Sequence, residues 1–270
     1  MPETLQPADA AQVEEVVRWA VSSTTPLELV GGGGKRGLGR PVAAEHRLAL
    51  SRLRGVSLYE PEELVLSAGP GTPLSEIEAL LAQRGQLLAF EAPDYAGLYG
   101  TEPGRQTLGG VIAANLSGPR RIKAGAARDH FLGVEGVSGR GEAFKSGGRV
   151  MKNVTGYDLC KLMAGSHGTL AALTALTIKV LPAPEKTRTV LLFGQDPAAA
   201  VVALAEAAGS PHEVSGFAHL PADVAARSGV SYVGGAGAAV TAVRVEGPGP
   251  SVEHRTAALR ELFGRRGAVE

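Results

Sequence analysis

Cysteine is almost absent: Cys160 stands alone among 270 residues. No disulfide can form within the chain, and no multi-cysteine zinc or iron-sulfur site can be built from it. A reducing compartment suits such a chain. An excess of charge of one sign is also lacking, because 27 Lys and Arg stand against 27 Asp and Glu. A protein that grips nucleic acid through a basic face is therefore not expected, although local anion sites remain open. No apolar run approaches the ~18 residues of a membrane span, and Met1-Pro2-Glu3-Thr4 carries neither a basic nor an apolar leader. The expectation is a cytoplasmic protein without direct membrane insertion.

Glycine, in contrast, is plentiful: 37 residues, roughly twice the usual ~7% share. It has no three-residue period and clusters in short runs, which mark loops that need positive φ or close backbone approach. With 44% apolar and 20% charged residues, the chain reads as globular and long enough for one large or two ordinary domains.

Residues 7–20 place Val13, Val16, Val17 and Ala20 at helical spacing, with Glu14, Glu15 and Arg18 opposite, and predict a half-buried helix. Leu27-Glu28-Leu29-Val30 predicts a short strand that runs into a glycine run at 31–39. A second apolar piece lies near 48–50, and a strand is expected over 64–68. Thr72-Pro73 predicts a helix start with Thr72 as N-cap; Leu74, Ile77 and Leu81 share its face, and Gly85 ends it. With a strand over 86–90, residues 1–90 predict a small α/β lobe. Strands and turns alternate over 131–181, and Asp158 is placed to cap a short helix. A strand over 174–181 is closed by Pro182-Ala183-Pro184, the strongest boundary signal in the chain. Two domains are expected, 1–184 and 185–270. In the second, a strand (189–193), an Ala-rich helix (197–208), a strand (240–245) and a helix (251–263) read as an incomplete β-α-β, β-α unit, with the chain ending before a last strand.

Gly32-x-Gly34-x-x-Gly37 after a strand spells a dinucleotide fingerprint, but the helix and the acidic residue that complete it are missing. Leu38-Gly39-Arg40-Pro41 breaks a helix, and 50–56 carries Arg52 and Arg54 with no acid. Lys35 precedes Arg36, where a Walker loop needs Ser or Thr. What remains is a glycine-dense loop whose consecutive N–H groups form an anion nest beside two cations; a flexible surface turn is the alternative. A second loop sets Gly109 and Gly110 at a helix start after Thr107 and Leu108, where free N–H groups favour a phosphate. Two such loops can grip the ends of one diphosphate, and Arg120, Arg121, Lys123 and Arg128 add positive charge nearby in sequence. A nucleotide-diphosphate cofactor is the economical reading.

Three stretches then carry a resemblance: Ala114-Asn115-Leu116-Ser117-Gly118-Pro119-Arg120-Arg121, residues 125–133 (Gly125 to Gly133), and Val150-Met151-Lys152-Asn153-Val154-Thr155-Gly156-Tyr157-Asp158-Leu159. They resemble the FAD-binding subunit of bacterial glycolate oxidase, a member of the vanillyl-alcohol-oxidase family of FAD-binding folds. The resemblance covers about residues 7–184. It implies an α+β chain: a PCMH-type FAD-binding fold of two α/β subdomains, followed by an incomplete ferredoxin-like cap.

By that resemblance Gly31, Gly32, Gly33, Gly34, Lys35 and Gly37 wrap the FAD diphosphate. Thr107, Leu108, Gly109, Gly110 and Asn115 form the second flavin loop, Gly165, Ser166, Gly168 and Thr169 a third, and the backbone around Ile178 approaches the adenine. Relatives that bind FAD covalently use His or Cys in the first loop; residues 31–39 hold neither, which implies non-covalent FAD. Oxidation of a 2-hydroxy acid needs a base for the hydroxyl proton and a cation for the carboxylate beside the flavin. The catalytic residues are not assigned; His167, in the third loop, is the candidate for contact with flavin or substrate. His130 reads as packing, the other histidines as solvated surface, Cys160 as a small buried apolar residue. Lys152, Asn153, Tyr157 and Asp158 are candidates for lining the site, with Tyr157 as core and Asp158 as N-cap the alternatives.

The implied activity is oxidation of glycolate to glyoxylate through flavin, with electrons passed on in a complex with a second flavin subunit and an iron-sulfur subunit, and membrane association only through that complex. The clusters must lie on the partner, since one cysteine cannot hold them. Two rivals stay open: a non-catalytic assembly subunit with weak or no FAD, and a stand-alone FAD-dependent oxidoreductase for another small 2-hydroxy acid.

Overall fold

The structure, a computed structural model, describes residues 2–149 and 156–270. The chain divides into two units, Met1–Gly118 with Gly125–Ala183, and Pro119–Ala124 with Pro184–Glu270.

The first unit opens with β1 (Glu3–Leu5), β2 (Leu27–Val30) and β3 (His46–Ala49), a parallel sheet of order β1-β3-β2. Helix Ala10–Ser22 joins β1 to β2. It starts at Asp9, whose carboxylate accepts the Gln12 N–H at 2.9 Å, a side-chain cap of an otherwise unpaired amide. Val13 and Val17 turn inward onto Leu48, Leu50, Leu53, Val137 and Ala172.

The remaining strands of this unit are β4 (Val56–Glu60), β5 (Val65–Ala68), the short β6 (Gln86–Leu87), β7 (Phe131–Ser138), β8 (Ala143–Gly147), β9 (Ala171–Lys179) and the short β10 (Leu181–Pro182). Five of them form an antiparallel sheet of order β4-β5-β9-β7-β8, while β6 and β10 pair separately. Helices Leu74–Ala82 and Leu108–Ala113 pack on this sheet; Ile77, Leu81, Leu108, Val111 and Ile112 share a core with Leu66, Phe131, Leu176 and Ile178.

Several expectations are revised here. Residues 1–90 do not form one lobe, because β5, with β4 on its other edge, pairs with β9 from much later in the chain. Thr72 is not the N-cap: Pro73 holds that position, and the buried Thr72 hydroxyl accepts from Gly55 N (2.9 Å) and donates to Gly69 O (2.8 Å), tying β4 to the turn after β5. Tyr157 is not core, since 91% of it is exposed. Of the strand expected over 86–90, only Gln86–Leu87 pairs; Leu88, Ala89 and Phe90 enter the core as irregular backbone.

The second unit holds β11 (Lys186–Phe193), β12 (Gly216–Leu220) and β13 (Val240–Gly247) in an antiparallel sheet of order β11-β13-β12. Helices Pro197–Gly209 and Gly249–Gly264 supply Ala203, Ala207, Val252, Leu259 and Phe263 to a core with Val190, Leu192, Val243 and Val245. The outer edge of β11 is partly covered: Leu191 and Glu270 exchange backbone hydrogen bonds of 2.9 Å, and Phe193 N donates to Ala268 O. Residues 268–270 thus occupy the place of a fourth strand, which the sequence reading leaves out. Arg120 is held in this unit by both Glu246 carboxylate oxygens (2.6 and 3.0 Å), and Lys123 by Glu213 (2.9 Å). These two cations are therefore paired with carboxylates of their own unit. Among the described residues no helix is long and apolar enough to cross a membrane.

Candidate cofactor site

A cleft of about 790 Å³ opens in the first unit where β2 ends. Gly31, Gly32, Gly33, Gly34 and Lys35 line it with Thr107, Gly110, Ala113, Ala114, His167, Gly168 and Thr169. The structure thus brings all three sequence-predicted loops to one cavity of cofactor size.

The first loop leaves β2 and continues in bends and turns to 40, with no helix behind it. Two glycines in it permit contact with the second loop. A Cβ on Gly32 would lie 1.7 Å from the Arg105 carbonyl oxygen, and one on Gly31 would lie 2.6 Å from Thr107 Oγ1. Gly33 adopts φ +78°, open to glycine at low cost. Among the described residues, the N–H groups of Gly32, Gly33, Gly34 and Lys35 donate to no protein acceptor. Consecutive unpaired amides in a cleft are an anion nest.

The cations sort into two sets. Glu28, on β2 with 9% of its side chain exposed, takes Arg36 (2.7 and 3.2 Å) and Arg47 (2.7 Å). Burial alone would raise its pKa, but the hydrogen bonds and charges of the two guanidinium groups outweigh it and hold the carboxyl below the usual range. Lys35 and Arg105 have no carboxylate within ion-pair distance among the described residues. Half-buried Lys35 reaches toward Gly110, whose Cβ position is 3.6 Å from Nζ. Burial pushes its pKa down, against the pull of Asp94.

The second loop works differently from the expectation. Thr107 is the N-cap of Leu108–Ala113, its hydroxyl accepting from Gly110 N at 3.3 Å. The Leu108 and Gly109 amides, expected free for a phosphate, donate instead to the carbonyls of Thr72 and Pro70, both at 2.9 Å. Gly109 is needed for packing, since its Cβ would meet Pro70 at 2.6 Å. In the third loop His167 (φ +53°) and Gly168 (φ +74°) turn left-handed, and His167 N donates to Ala113 O at 2.8 Å, seating the loop on the cleft.

Other predicted residues lie beside the cleft or away from it. Gly37 faces an adjoining pocket, and its Cβ would meet the Tyr99 ring at 2.5 Å. Leu108 is core. Asn115 turns left-handed (φ +47°), and its Oδ1 accepts from Arg128 N. Gly165 donates to Ile112 O, and Ser166 O accepts the Thr169 hydroxyl. Ile178 is fully buried in β9, between Leu66 and Phe131. His130 is buried against Phe90, Cys160 is buried with its thiol pushed up to about 11 by burial first and Asp158 second, and Asp158 caps its helix through Lys161 N. Lys152 and Asn153 lie outside the described residues. Two residues escape the sequence reading. Arg105 carries no motif; Glu28 leaves a signal, an acid on a half-buried strand with arginines nearby.

A family model described as an FAD binding domain matches residues 3–147. The chain belongs to this family of FAD-binding domains. Glycolate oxidase subunit GlcE of Escherichia coli (strain K12) is 46% identical over 170 residues, 63% of this chain and 46% of that protein. D-lactate dehydrogenase of Archaeoglobus fulgidus is 32% identical over 180 residues, 66% of this chain and 38% of that one. The chain thus spans about half or less of the length of these relatives. Alkyldihydroxyacetonephosphate synthase has the same fold at a TM-score of 0.79 and 20% identity, covering 99% of this chain and 51% of that one. p-Cresol methylhydroxylase follows at 0.70 and 15%, covering 99% and 57%. The PCMH-type fold expected from the sequence is therefore present. The cleft suits the coenzyme of this FAD-binding domain: unpaired amides and two unpaired cations suit a diphosphate, and the absence of His and Cys from 31–39 leaves no side chain in that loop for a covalent flavin bond.

Lys35 gives a direct check. Lys35→Met is expected to weaken FAD binding roughly 10- to 100-fold, the loss of a charged hydrogen-bond partner, while riboflavin, lacking phosphate, is bound equally by both chains. Since burial lowers the Lys35 pKa and a bound diphosphate raises it, binding takes up protons at alkaline pH. FAD affinity should therefore fall as pH rises in the wild type and stay flat in the variant; a parallel fall in both, read by flavin fluorescence titration, rules out Lys35 as the phosphate cation.

Proposed function

We propose that this chain is the FAD-binding subunit of a glycolate oxidase, taking electrons from glycolate, which becomes glyoxylate, and passing them to an iron-sulfur subunit of a multi-subunit complex in the cytoplasm. The 46% identity to glycolate oxidase subunit GlcE carries the reading. Relatives named D-lactate dehydrogenase and D-2-hydroxyglutarate dehydrogenase support 2-hydroxy acids as the substrate class.

FAD, when bound, supplies a two-electron acceptor. The chain's own residues do the remaining work: the amides of 32–35, with Lys35 and Arg105, hold the diphosphate, Glu28 fixes Arg36 and Arg47 beside the loop, and the His167 turn walls the cleft. His167 is the candidate for receiving the hydroxyl proton, since it is the histidine lining the cleft. His167→Asn retains a side chain that tolerates left-handed backbone, so FAD occupancy should persist while turnover falls about 100-fold. Unchanged turnover removes His167 from the chemistry.

A second reading has its own support. Glu28 is the carboxylate lining the cleft and is already paired twice, so the flavin here would relay electrons from substrate oxidised on the second flavin subunit. Anaerobic addition of glycolate to the FAD-loaded chain separates the two: bleaching of the flavin absorption by glycolate alone fits oxidation here, and bleaching only after the second flavin subunit is added fits relay. A chain that takes up no FAD and folds without it overturns both.

A further inference from the structure

Residues 119–124 belong to the second unit, although the chain on either side of them, up to Gly118 and from Gly125, belongs to the first. The excursion starts at the cofactor cleft: Ala113 ends helix Leu108–Ala113, Ala113 and Ala114 line the cleft, and the chain leaves the first unit shortly afterwards, at Gly118. Its two roots are pinned to each other within the first unit. Asn115 turns left-handed (φ +47°) and its Oδ1 accepts from Arg128 N at 2.9 Å, while Ser117 Oγ accepts from Ala127 N at 2.9 Å. Gly118 N donates to Phe90 O at 2.8 Å, and a Cβ on Gly118 would lie 2.3 Å from Glu91 O, so the departing chain runs tight against other backbone. The returning chain is fixed at Ala126, whose N–H donates to the Asp129 carboxylate at 2.8 Å.

The tip is fixed just as firmly inside the second unit. Arg120 donates to both oxygens of Glu246 on β13, with only 14% and 10% of the two side chains exposed. A two-pronged pair of this kind sets orientation as well as distance, and little water is present to screen it. Lys123 reaches Glu213, and Gly216 of β12 leaves room for Pro119, whose Cβ would stand 3.1 Å from a Cβ at that position. The remaining joint between the units, 183–184, follows β10, none of whose residues lines the cleft. A short segment held at root and tip passes a displacement on instead of absorbing it.

We propose that residues 119–124 are a coupling arm, anchored by Arg120 on Glu246, through which FAD seated in the cleft steadies the second unit, so that its sheet opens less often in the loaded chain. This rests on the reading of the cleft as the coenzyme site. Coupling of this kind is reciprocal: FAD binds the chain with an ordered second unit more tightly than the chain with that unit opened, by the factor by which it suppresses the opening.

The test is hydrogen exchange followed by mass spectrometry on the full chain, with and without FAD. In the wild type FAD is expected to slow exchange at 31–37 and 108–114, and to slow β12 and β13 about fivefold or more. A spacer variant, with two glycines inserted after Gly118 and two after Ala124, keeps every side chain of the arm and slackens both joints. Exchange in its β12 and β13 should become indifferent to FAD while 31–37 and 108–114 stay protected. Arg120→Met should give the same result at the tip; if that substitution by itself opens the sheet without FAD, the spacer variant, which retains the Arg120–Glu246 pair, decides. Slowing confined to the first unit in the wild type, or a spacer variant that responds like the wild type, overturns the proposal. An Arg120→Met chain with an intact sheet that still responds overturns Arg120 as the anchor. Exchange unchanged by FAD in both units is a different result: it removes the coenzyme from the cleft, and the coupling falls with it.

Discussion

Gly32→Ala is expected to abolish FAD binding in practice, weakening it more than 100-fold, about 3 kcal/mol at 1.4 kcal/mol per factor of ten. A methyl group there would lie 1.7 Å from the Arg105 carbonyl oxygen and 2.8 Å from its carbon, distances no van der Waals contact allows. Both partners are backbone, so no rotamer change relieves the clash. Either the glycine loop or the 101–107 segment must withdraw, and each lines the cleft. Withdrawal also parts Thr107 from Gly31 and carries Arg105 away from Gly33. Gly34→Ala is the control, because its Cβ position meets nothing nearer than Thr101 Oγ1 at 3.9 Å, and its melting temperature should match the wild type. The measurement is flavin absorption retained after gel filtration, with melting temperatures beside it. A Gly32→Ala chain that keeps its flavin would mean that the close approach of the two loops is not needed for the site.

That contact also explains what the sequence does and does not reveal. The nest is legible at 31–37 because glycine density and neighbouring cations are local properties. The helix start at Thr107 is misleading for the opposite reason: whether the Leu108 and Gly109 amides are free depends on the Pro70 and Thr72 carbonyls, which only the tertiary fold delivers. Arg105 is invisible for the same reason. Helix Ala10–Ser22 is legible from its apolar spacing, and β2 from alternation. The assignment of β4 and β5 to a sheet with β9 is not, since strand pairing across a long sequence separation leaves no mark on either strand alone. Thr72-Pro73 carries a true helix signal read one residue early, because the buried hydroxyl is drawn to Gly55 and Gly69. Tyr157 fails differently: an aromatic in a short polar stretch gives no periodicity from which burial can be judged.

Glu28→Gln should have the largest effect on stability among the residues around the cleft. The carboxylate is nearly shut off from water on β2 and accepts from two arginines on different segments, Arg36 of the glycine loop and Arg47 of β3. Removing one partner of a buried ion pair costs up to about 3–5 kcal/mol; Arg36 and Arg47 retain 47% and 25% side-chain exposure, so water screens part of the loss and about 2–3 kcal/mol is expected. That corresponds to a fall in melting temperature of roughly 5–10 °C. The pH dependence has a definite sign. The folded pKa of Glu28 lies below its ordinary value of 4.5, so the group binds protons more readily unfolded than folded, and its stabilisation is complete above 4.5 and disappears as pH falls through the lowered folded value. Wild type and Glu28→Gln should therefore differ most near neutral pH and converge on acidification below 4.5. Melting curves for both chains across that range are the check. A gap that widens in acid would show that Glu28 is held protonated in the folded chain and does not anchor the loop as an anion.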